Sequence, residues 1–519
     1  ARSRPDQVKQ VIDMVGQVGL RGTIQKVRSK LEGAQPLGYS LAGRVLEVAD
    51  DVTHVSPGDL VACAGGGYAN HADEVVVPRN LVARIPAGVS ADAAAMTTLG
   101  AIALQGVRLA APTLGETAVV IGLGVVGQLA GQLLRASGCR VIGSDISPAA
   151  VELARRARSV DVAVADGLEA AVVDISRGRG ADLVLICAAT ESHGPVAQAA
   201  DLCRKRGRVI VVGAVGMDLP REPYYTKEIQ FAVSCSYGPG RYDPDYEERG
   251  VDYPAGFVRW TEGRNLEAVL DMIASGACRP LDLVTHRFPF AEAALAYDLF
   301  ARSNEPYAGI LLDYPPGERS ATPTISCGGR PATGATLGVG FIGCGSYAQS
   351  FLLPAFRKDT GVALTAIHTR TGLSAADVGR RNGFATAVDS GEAVLGADGT
   401  DAVVVATRHD QHGPLTLAAL EAGKHVFVEK PLCLSREELA TIMRWFANRD
   451  HTPVLQVGFN RRFSRAAQAL KSHLGERPGP LVMVYRVNAG PLPRAHWSQA
   501  PAAGGGRVVG EVCHFIALM

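Results

Sequence analysis

The chain has 519 residues, too many for one hydrophobic core, and that length predicts about three domains. Hydrophobic residues make up 47% and charged residues 20%, a globular composition that excludes fibrous and disordered classes. With 52 basic against 51 acidic residues there is no charge footprint for nucleic acid or an anionic membrane, so a small uncharged or mildly charged substrate such as a sugar fits better.

The ten cysteines are scattered, with no C-x-x-C and no Cys/His cluster of ligand spacing, which predicts free thiols and a cytoplasmic protein. The longest uncharged run, 117–134, is broken by glycines and glutamines after a short β-like start, so no membrane helix is expected. The opening ARSRPDQVKQ lacks an apolar signal region, and the chain stops at GEVCHFIALM inside an apolar pattern; both ends read as cut.

In chain order, residues 1–90 read as a partial β-barrel region, with LAGRVLEVA, VSPGDLVACA and HADEVVVPRNLVARIP as β-rich runs between Gly-Asp and Pro breaks. A helical stretch opens the next region, 91–255, and six strand–helix alternations follow. Their strands, TAVVIG, CRVIGSD, VDVAVAD, ADLVLICAA, GRVIVVGAV and IQFAVSCS, are Val/Ile-rich runs of the buried parallel kind. The tyrosine-rich Pro/Gly stretch 237–256 ends the alternation, and 256–314 returns toward the barrel. Residues 315–336 turn to Pro, Gly, Ser and Thr and read as a linker. Alternation resumes over 337–453 with LGVGFIGCG, ALTAIHTR, DAVVVAT, HVFVEKP and VLQVGFNRRF, and PLVMVYRVNAG opens a further sheet in 454–519. The fold class is α/β, with two Rossmann-type doubly wound parallel sheets.

The first nucleotide loop is VVIGLGVVGQ, in which Gly122, Gly124 and Gly127 keep G-x-G-x-x-G spacing between a strand and a helix. Asp145 ends the next strand, where a carboxylate accepts ribose hydroxyls and repels a 2′-phosphate, so this site predicts NAD. The second loop, GVGFIGCGSYAQ, places Gly343, Gly345 and Ala348 at the same positions. Its next strand ends His368-Thr369-Arg370, and the Arg370 guanidinium suits a 2′-phosphate, so NADP or NAD is expected there.

Barrel, Rossmann region and return, with GDLVACA and LGAIALQGV, resemble the medium-chain alcohol dehydrogenase superfamily with its GroES-like barrel. In its zinc members a G-H-E stretch carries a ligand histidine. This chain has Gly38-Tyr39-Ser40 instead, and Thr98 lies near the place of another ligand. A phenol and a hydroxyl are poor zinc partners, so this half is expected to hold no metal. Tyr39 and Thr98 are candidates to hydrogen-bond a substrate oxygen, or Tyr39 is a half-buried barrel residue. Tyr237 and its neighbours are candidates for a sugar-binding wall, or form a structured surface loop.

In the second half, TRHDQH (407–412), the strand ending Glu429-Lys430-Pro431 and GFNRRF (458–463) resemble the glucose–fructose oxidoreductase and inositol dehydrogenase family. The resemblance implies cofactor contacts from Thr407 and Glu429, a substrate contact from Arg461, and Lys430 polarising the reacting oxygen. It further implies a D-x-x-x-H pair as base. His514 matches, but Gly510 stands at the aspartate position, Ala517 replaces a further family aspartate, and Glu511 is a displaced substitute.

The two resemblances in this order are similar to bi-domain oxidoreductases found with bacterial surface-polysaccharide genes, which implies a sugar or nucleotide-sugar substrate. Three readings stay open: coupled oxidation and reduction in two sites, one catalytic half with the other as scaffold, and a non-enzymatic NAD(P) sensor. A homo-oligomer is compatible with the sequence.

Overall fold

Runs of β-branched residues that bury both faces form the central strands of parallel sheets. Thr117–Ile121 is buried at every residue, and Leu337–Ile342 at all but its first. The computed structural model describes residues 34–302, 305–315, 324–447, 449, 452–475, 479–492 and 496–519. The chain divides into two compact units, one within residues 36–318 and the other built on residues 319–519.

In the first unit β1 (Ser40–Arg44), β2 (Leu60–Ala64) and β3 (Val82–Arg84) form an antiparallel sheet in that order. The main sheet is parallel and contains β4 (Thr117–Ile121), β5 (Arg140–Ser144), β6 (Val162–Val164), β7 (Ala181–Ile186), β8 (Cys203–Val211) and β9 (Gln230–Val233). Their order, β6-β5-β4-β7-β8-β9, reverses direction at β4, and a doubly wound sheet opens its ligand crevice at such a point, beyond the strands' carboxyl ends. The helix Thr97–Ala110 buries most of its residues, joining the core that covers one sheet face with Leu123, Leu129 and Val269. A separate parallel pair, β10 (Val284–Pro289) with β11 (Gly309–Asp313), closes the unit.

The second unit repeats this arrangement with β12 (Thr324–Ser326), β13 (Leu337–Ile342), β14 (Val362–His368), β15 (Thr386–Val388), β16 (Ala402–Val405), β17 (His425–Val428) and β18 (Leu455–Val457). The order is β12-β15-β14-β13-β16-β17-β18, with the switch at β13 and only β12 antiparallel to its neighbour. Phe341 and Phe384 are fully buried on one face and meet edge to face at 5.5 Å.

Two features differ from the sequence reading. Thr324–Ser326, inside the stretch read as linker, is an edge strand paired with β15, itself a three-residue strand with too little pattern to announce it. PLVMVYRVNAG (480–490) forms no strand: among the described residues no strand pairs with it, and Val482 and Val484 are about nine-tenths exposed. A strand is defined by its ladder partner, so a β-prone sequence alone does not make one. Residues 1–33 of the expected barrel region, 316–323 of the expected linker and 493–495 lie outside the described residues. Among the described residues no helix is long and apolar enough to cross a membrane.

Candidate active site

β4 turns through Gly122 (φ 97°) into the helix Val125–Ala136, with Gly124 at the N-cap. A Cβ at Gly122 would stand 2.6 Å from the Ala188 amide nitrogen, and one at Gly127 would stand 1.9 Å from the Gly122 carbonyl oxygen. At Gly124 an added Cβ meets nothing within 4 Å. The outer glycines let the backbone close on itself while the middle one leaves the helix N-terminus open, which fits a pyrophosphate. The Asp145 carboxylate accepts the Leu123 amide at 2.7 Å and the Ser147 amide at 2.8 Å, one on each oxygen. Each oxygen keeps acceptor capacity for a ribose hydroxyl.

The substrate side of this unit is less assembled. Tyr39 is 44% exposed at the start of β1. Thr98 is fully buried, its hydroxyl donating to the Cys63 carbonyl at 3.4 Å. That removes Thr98 from the substrate-facing set, because a side chain packed inside the helix Thr97–Ala110 has no open face. Tyr237 is also buried, part of the core with Leu266, and Arg241 lies over its ring at 5.5 Å. The tyrosine expected to line a sugar wall therefore supports the insert from beneath.

That insert rests on a buried polar cluster which the sequence did not disclose. Arg241 pairs with Glu247, and Glu262 is fully buried with neither carboxylate oxygen hydrogen-bonded. Burial first, and Glu247 second, push the Glu262 carboxyl up to about 8 against the pull of Arg241.

In the second unit β13 turns through Gly343 (φ 82°), where a Cβ would stand 2.6 Å from the Ala406 carbonyl oxygen and 2.7 Å from Thr407 Cγ2. Thr407 thus packs against the loop, and its hydroxyl donates to the Arg408 carbonyl at 3.2 Å. Gly345 is open and Ala348 is buried behind it. Arg370 is exposed just past β14. Gln349 Nε2 donates to the Cys344 carbonyl at 2.8 Å, as Gln128 Nε2 does to the Leu123 carbonyl at 2.9 Å. These matching braces were present in the sequence as a glutamine one place past each third loop position.

At the carboxyl ends of β16 and β17 the candidate catalytic groups meet. Lys430 Nζ donates to the Gly510 carbonyl at 2.7 Å. Gly510 lies in a turn of π-helical spacing, Val508–Val512, which leads into the helical turn Cys513–Ile516 carrying His514. His514 is buried with Nδ1 unpartnered. Burial, then Lys430 and Arg461, push its imidazole down to about 4, so it is neutral at neutral pH. Glu429 is buried with Oε1 unpartnered, and burial lifts its carboxyl to about 7 although Lys430 pulls the other way. Asn460 Nδ2 donates to the Tyr347 hydroxyl at 2.5 Å, and the Glu429 charge is felt at Tyr347.

The remaining residues of this region anchor it. His412 Nδ1 donates to the Pro431 carbonyl at 2.7 Å, and His409 Nδ1 to the Gly504 carbonyl at 2.9 Å, with its ring edge-on to Trp497. Arg461 lies 4.6 Å over the Phe515 ring, and Arg462 donates to the Ala517 carbonyl at 3.1 Å. Glu511 is not the partner of His514: Arg507 holds it at 2.9 Å and 3.1 Å, one helical turn away.

Two family models match this chain in tandem. Residues 125–252 match "Zinc-binding dehydrogenase", and residues 337–459 match "Oxidoreductase family, NAD-binding Rossmann fold". The two matches follow one another along the chain, one in each compact unit. Similar proteins include a 1,5-anhydro-D-fructose reductase of Ensifer adhaerens, 30% identical over 34% of this chain and 53% of that protein. An inositol 2-dehydrogenase 3 of Saccharopolyspora erythraea is 32% identical over 32% of this chain and 49% of its own length. An NAD-dependent alcohol dehydrogenase of Sulfurisphaera tokodaii is 30% identical over 38% of this chain and 66% of its own. The chain thus spans about half the length of the first two of these relatives.

The zinc named in the first family title does not fit the residues present. Among the described residues no three His, Cys, Asp or Glu side chains cluster as metal ligands. Thr98 donates its hydroxyl to the Cys63 carbonyl, and a buried hydroxyl so engaged is a poor zinc ligand.

Proposed function

We propose that this protein is an NAD(P)-dependent oxidoreductase that exchanges a hydride with a CH–OH carbon of a sugar or polyol, and that the catalytic centre lies in the second unit. The observation that carries this reading is the hydrogen bond from Lys430, just past the carboxyl end of β17, to the Gly510 carbonyl in the segment that leads into His514, whose imidazole feels the Lys430 charge. Bound nicotinamide would supply the hydride acceptor. The neutral His514 imidazole takes the hydroxyl proton as the carbonyl forms, and the Lys430 ammonium, one of whose protons is held by Gly510, turns the others to the developing oxyanion. The names of the similar reductase and dehydrogenases support a sugar-type substrate.

Asp145 in the first unit favours NAD, Arg370 in the second admits NADP, and the first unit works without zinc. A role in surface-polysaccharide metabolism in the cytoplasm rests on the sequence resemblance. A second reading, in which both units exchange hydride with one sugar for a net epimerisation, is favoured by one observation: the first unit keeps a complete nucleotide loop with Asp145 hydrogen-bonded into it.

Turnover of a sugar and polyol panel tests the proposal. Removing a positioned acid or base lowers rates by about 10² to 10⁴, so Lys430→Met is expected to lose activity on that scale while dinucleotide affinity stays unchanged. Activity that survives Lys430→Met but falls with Asp145→Asn would move the chemistry to the first unit.

A further inference from the structure

Three cations converge on residues 510–517, and among the described residues none of them pairs with a carboxylate there. Lys430 donates to the Gly510 carbonyl, Arg461 lies over the Phe515 ring, and Arg462 donates to the Ala517 carbonyl. All three partners are neutral. The neighbouring acidic groups offset this only in part: Glu511 is neutralised by Arg507, and Glu429 is buried with its carboxyl lifted to about 7, so that it carries part of its charge beside Lys430 at neutral pH. His514, between Lys430 and Arg461, is neutral and feels both charges. Elsewhere in the chain basic and acidic residues are nearly equal in number, so this local excess is not a property of the whole surface.

Arg461 and Arg462 are exposed and Lys430 is partly buried, and positive groups gathered on one small region without carboxylate partners attract an anionic ligand. Guanidinium groups also match the paired oxygens of a carboxylate or phosphoryl group. Resting on the assignment of sugar chemistry to this unit, we propose that the substrate of the second site is an anionic sugar, one whose carboxylate or phosphoryl group is received by Arg461 and Arg462 beside Lys430.

The proposal gives the low proton affinity of His514 a use. Burial, Lys430 and Arg461 together make the free imidazole a weak base, and a bound oxyanion offsets the last two, restoring basicity only when the correct substrate is present. A neutral sugar leaves the base weak.

The test is calorimetric titration of the full chain, saturated with NADPH, with D-glucuronate, D-glucose 6-phosphate and D-glucose. At least one anionic sugar is expected to bind about tenfold or more tightly than glucose, with an affinity that falls as salt rises. The arm that responds tells carboxylate from phosphoryl recognition. Replacing both arginines, Arg461→Gln with Arg462→Gln, is expected to erase that preference while the NADPH Kd stays within about twofold, which shows that the fold is intact. Glucose binding as tightly as both anions, or a preference untouched by the double variant, overturns the anionic assignment alone. Failure of all three sugars to bind the NADPH-loaded chain overturns it together with the sugar-site reading.

Discussion

Glu262 offers a stability measurement that depends chiefly on burial. Its carboxyl is fully enclosed, neither oxygen finds a donor, and Arg241, the nearest cation, is already paired with Glu247. Ionisation in place is therefore costly, and the group stays protonated up to about pH 8 instead of its ordinary 4.5. Between those values the folded protein holds a proton that the unfolded chain has released, so wild-type stability falls as pH rises through this window and levels off above it. At about 1.4 kcal/mol per pKa unit the full shift sets an upper limit of about 5 kcal/mol, of which about 2 kcal/mol is already lost at pH 6. Glu262→Gln has the shape of the neutral acid and cannot ionise. Hydrogen exchange of the helix Glu262–Ala274 in the full chain is expected to show the variant about 2 kcal/mol more protected at pH 6, and up to about 5 kcal/mol more at pH 8.5. A variant that matches wild type at both pH values, or is less protected at pH 8.5, would mean that the carboxylate is ionised and partnered, and the burial argument would fall.

Asp145→Asn keeps an acceptor for the Leu123 or Ser147 amide but loses the charge that repels a 2′-phosphate; in the full chain the tighter NADH class measured by fluorescence titration should weaken about tenfold or more and begin to accept NADPH. No change in discrimination would remove Asp145 from the ribose site. Elemental analysis should find well under one zinc per chain, and chelation should leave turnover unchanged, because Tyr39 and the engaged Thr98 hydroxyl make no ligand set. A full equivalent of tightly held zinc would refute the argument from those side chains.

How far the sequence could be read follows from where its physics is local. The central strands were legible because Val/Ile runs such as 117–121 and 402–405 must be buried on both faces, and the nucleotide loops because their glycine spacing is a local pattern, as where Gly127 closes on the Gly122 carbonyl, although Gly122 and Gly343 themselves press against the distant residues Ala188 and Ala406. The edge strand β12 and its neighbour β15 were not legible, since three residues carry no period. Thr98 and Tyr237 were misread for a related reason. Residue type names a hydroxyl or a phenol, but only tertiary packing decides whether it faces a pocket or, as here, the core. Glu262 escaped notice because its significance is a missing partner, a property that no spacing rule encodes.

Gly510 shows the limit from the other side. At the position where the resemblance predicts an aspartate, the structure keeps a contact with Lys430 but makes it through the backbone: the carbonyl accepts from Nζ at 2.7 Å. There is little room for a side chain, since a Cβ at this residue would stand 3.0 Å from the His409 ring, which is fixed by its bond to the Gly504 carbonyl. A carbonyl and a carboxylate can both orient an ammonium, yet only the carboxylate also supplies a negative charge and a place for a proton. The substitution therefore retains positioning of Lys430 while removing the charge that would otherwise have balanced it. With Arg461 and Arg462 also on neutral partners among the described residues, the carbonyl at position 510 is in keeping with the anionic substrate proposed for this site, whose charge would stand where a carboxylate side chain does not.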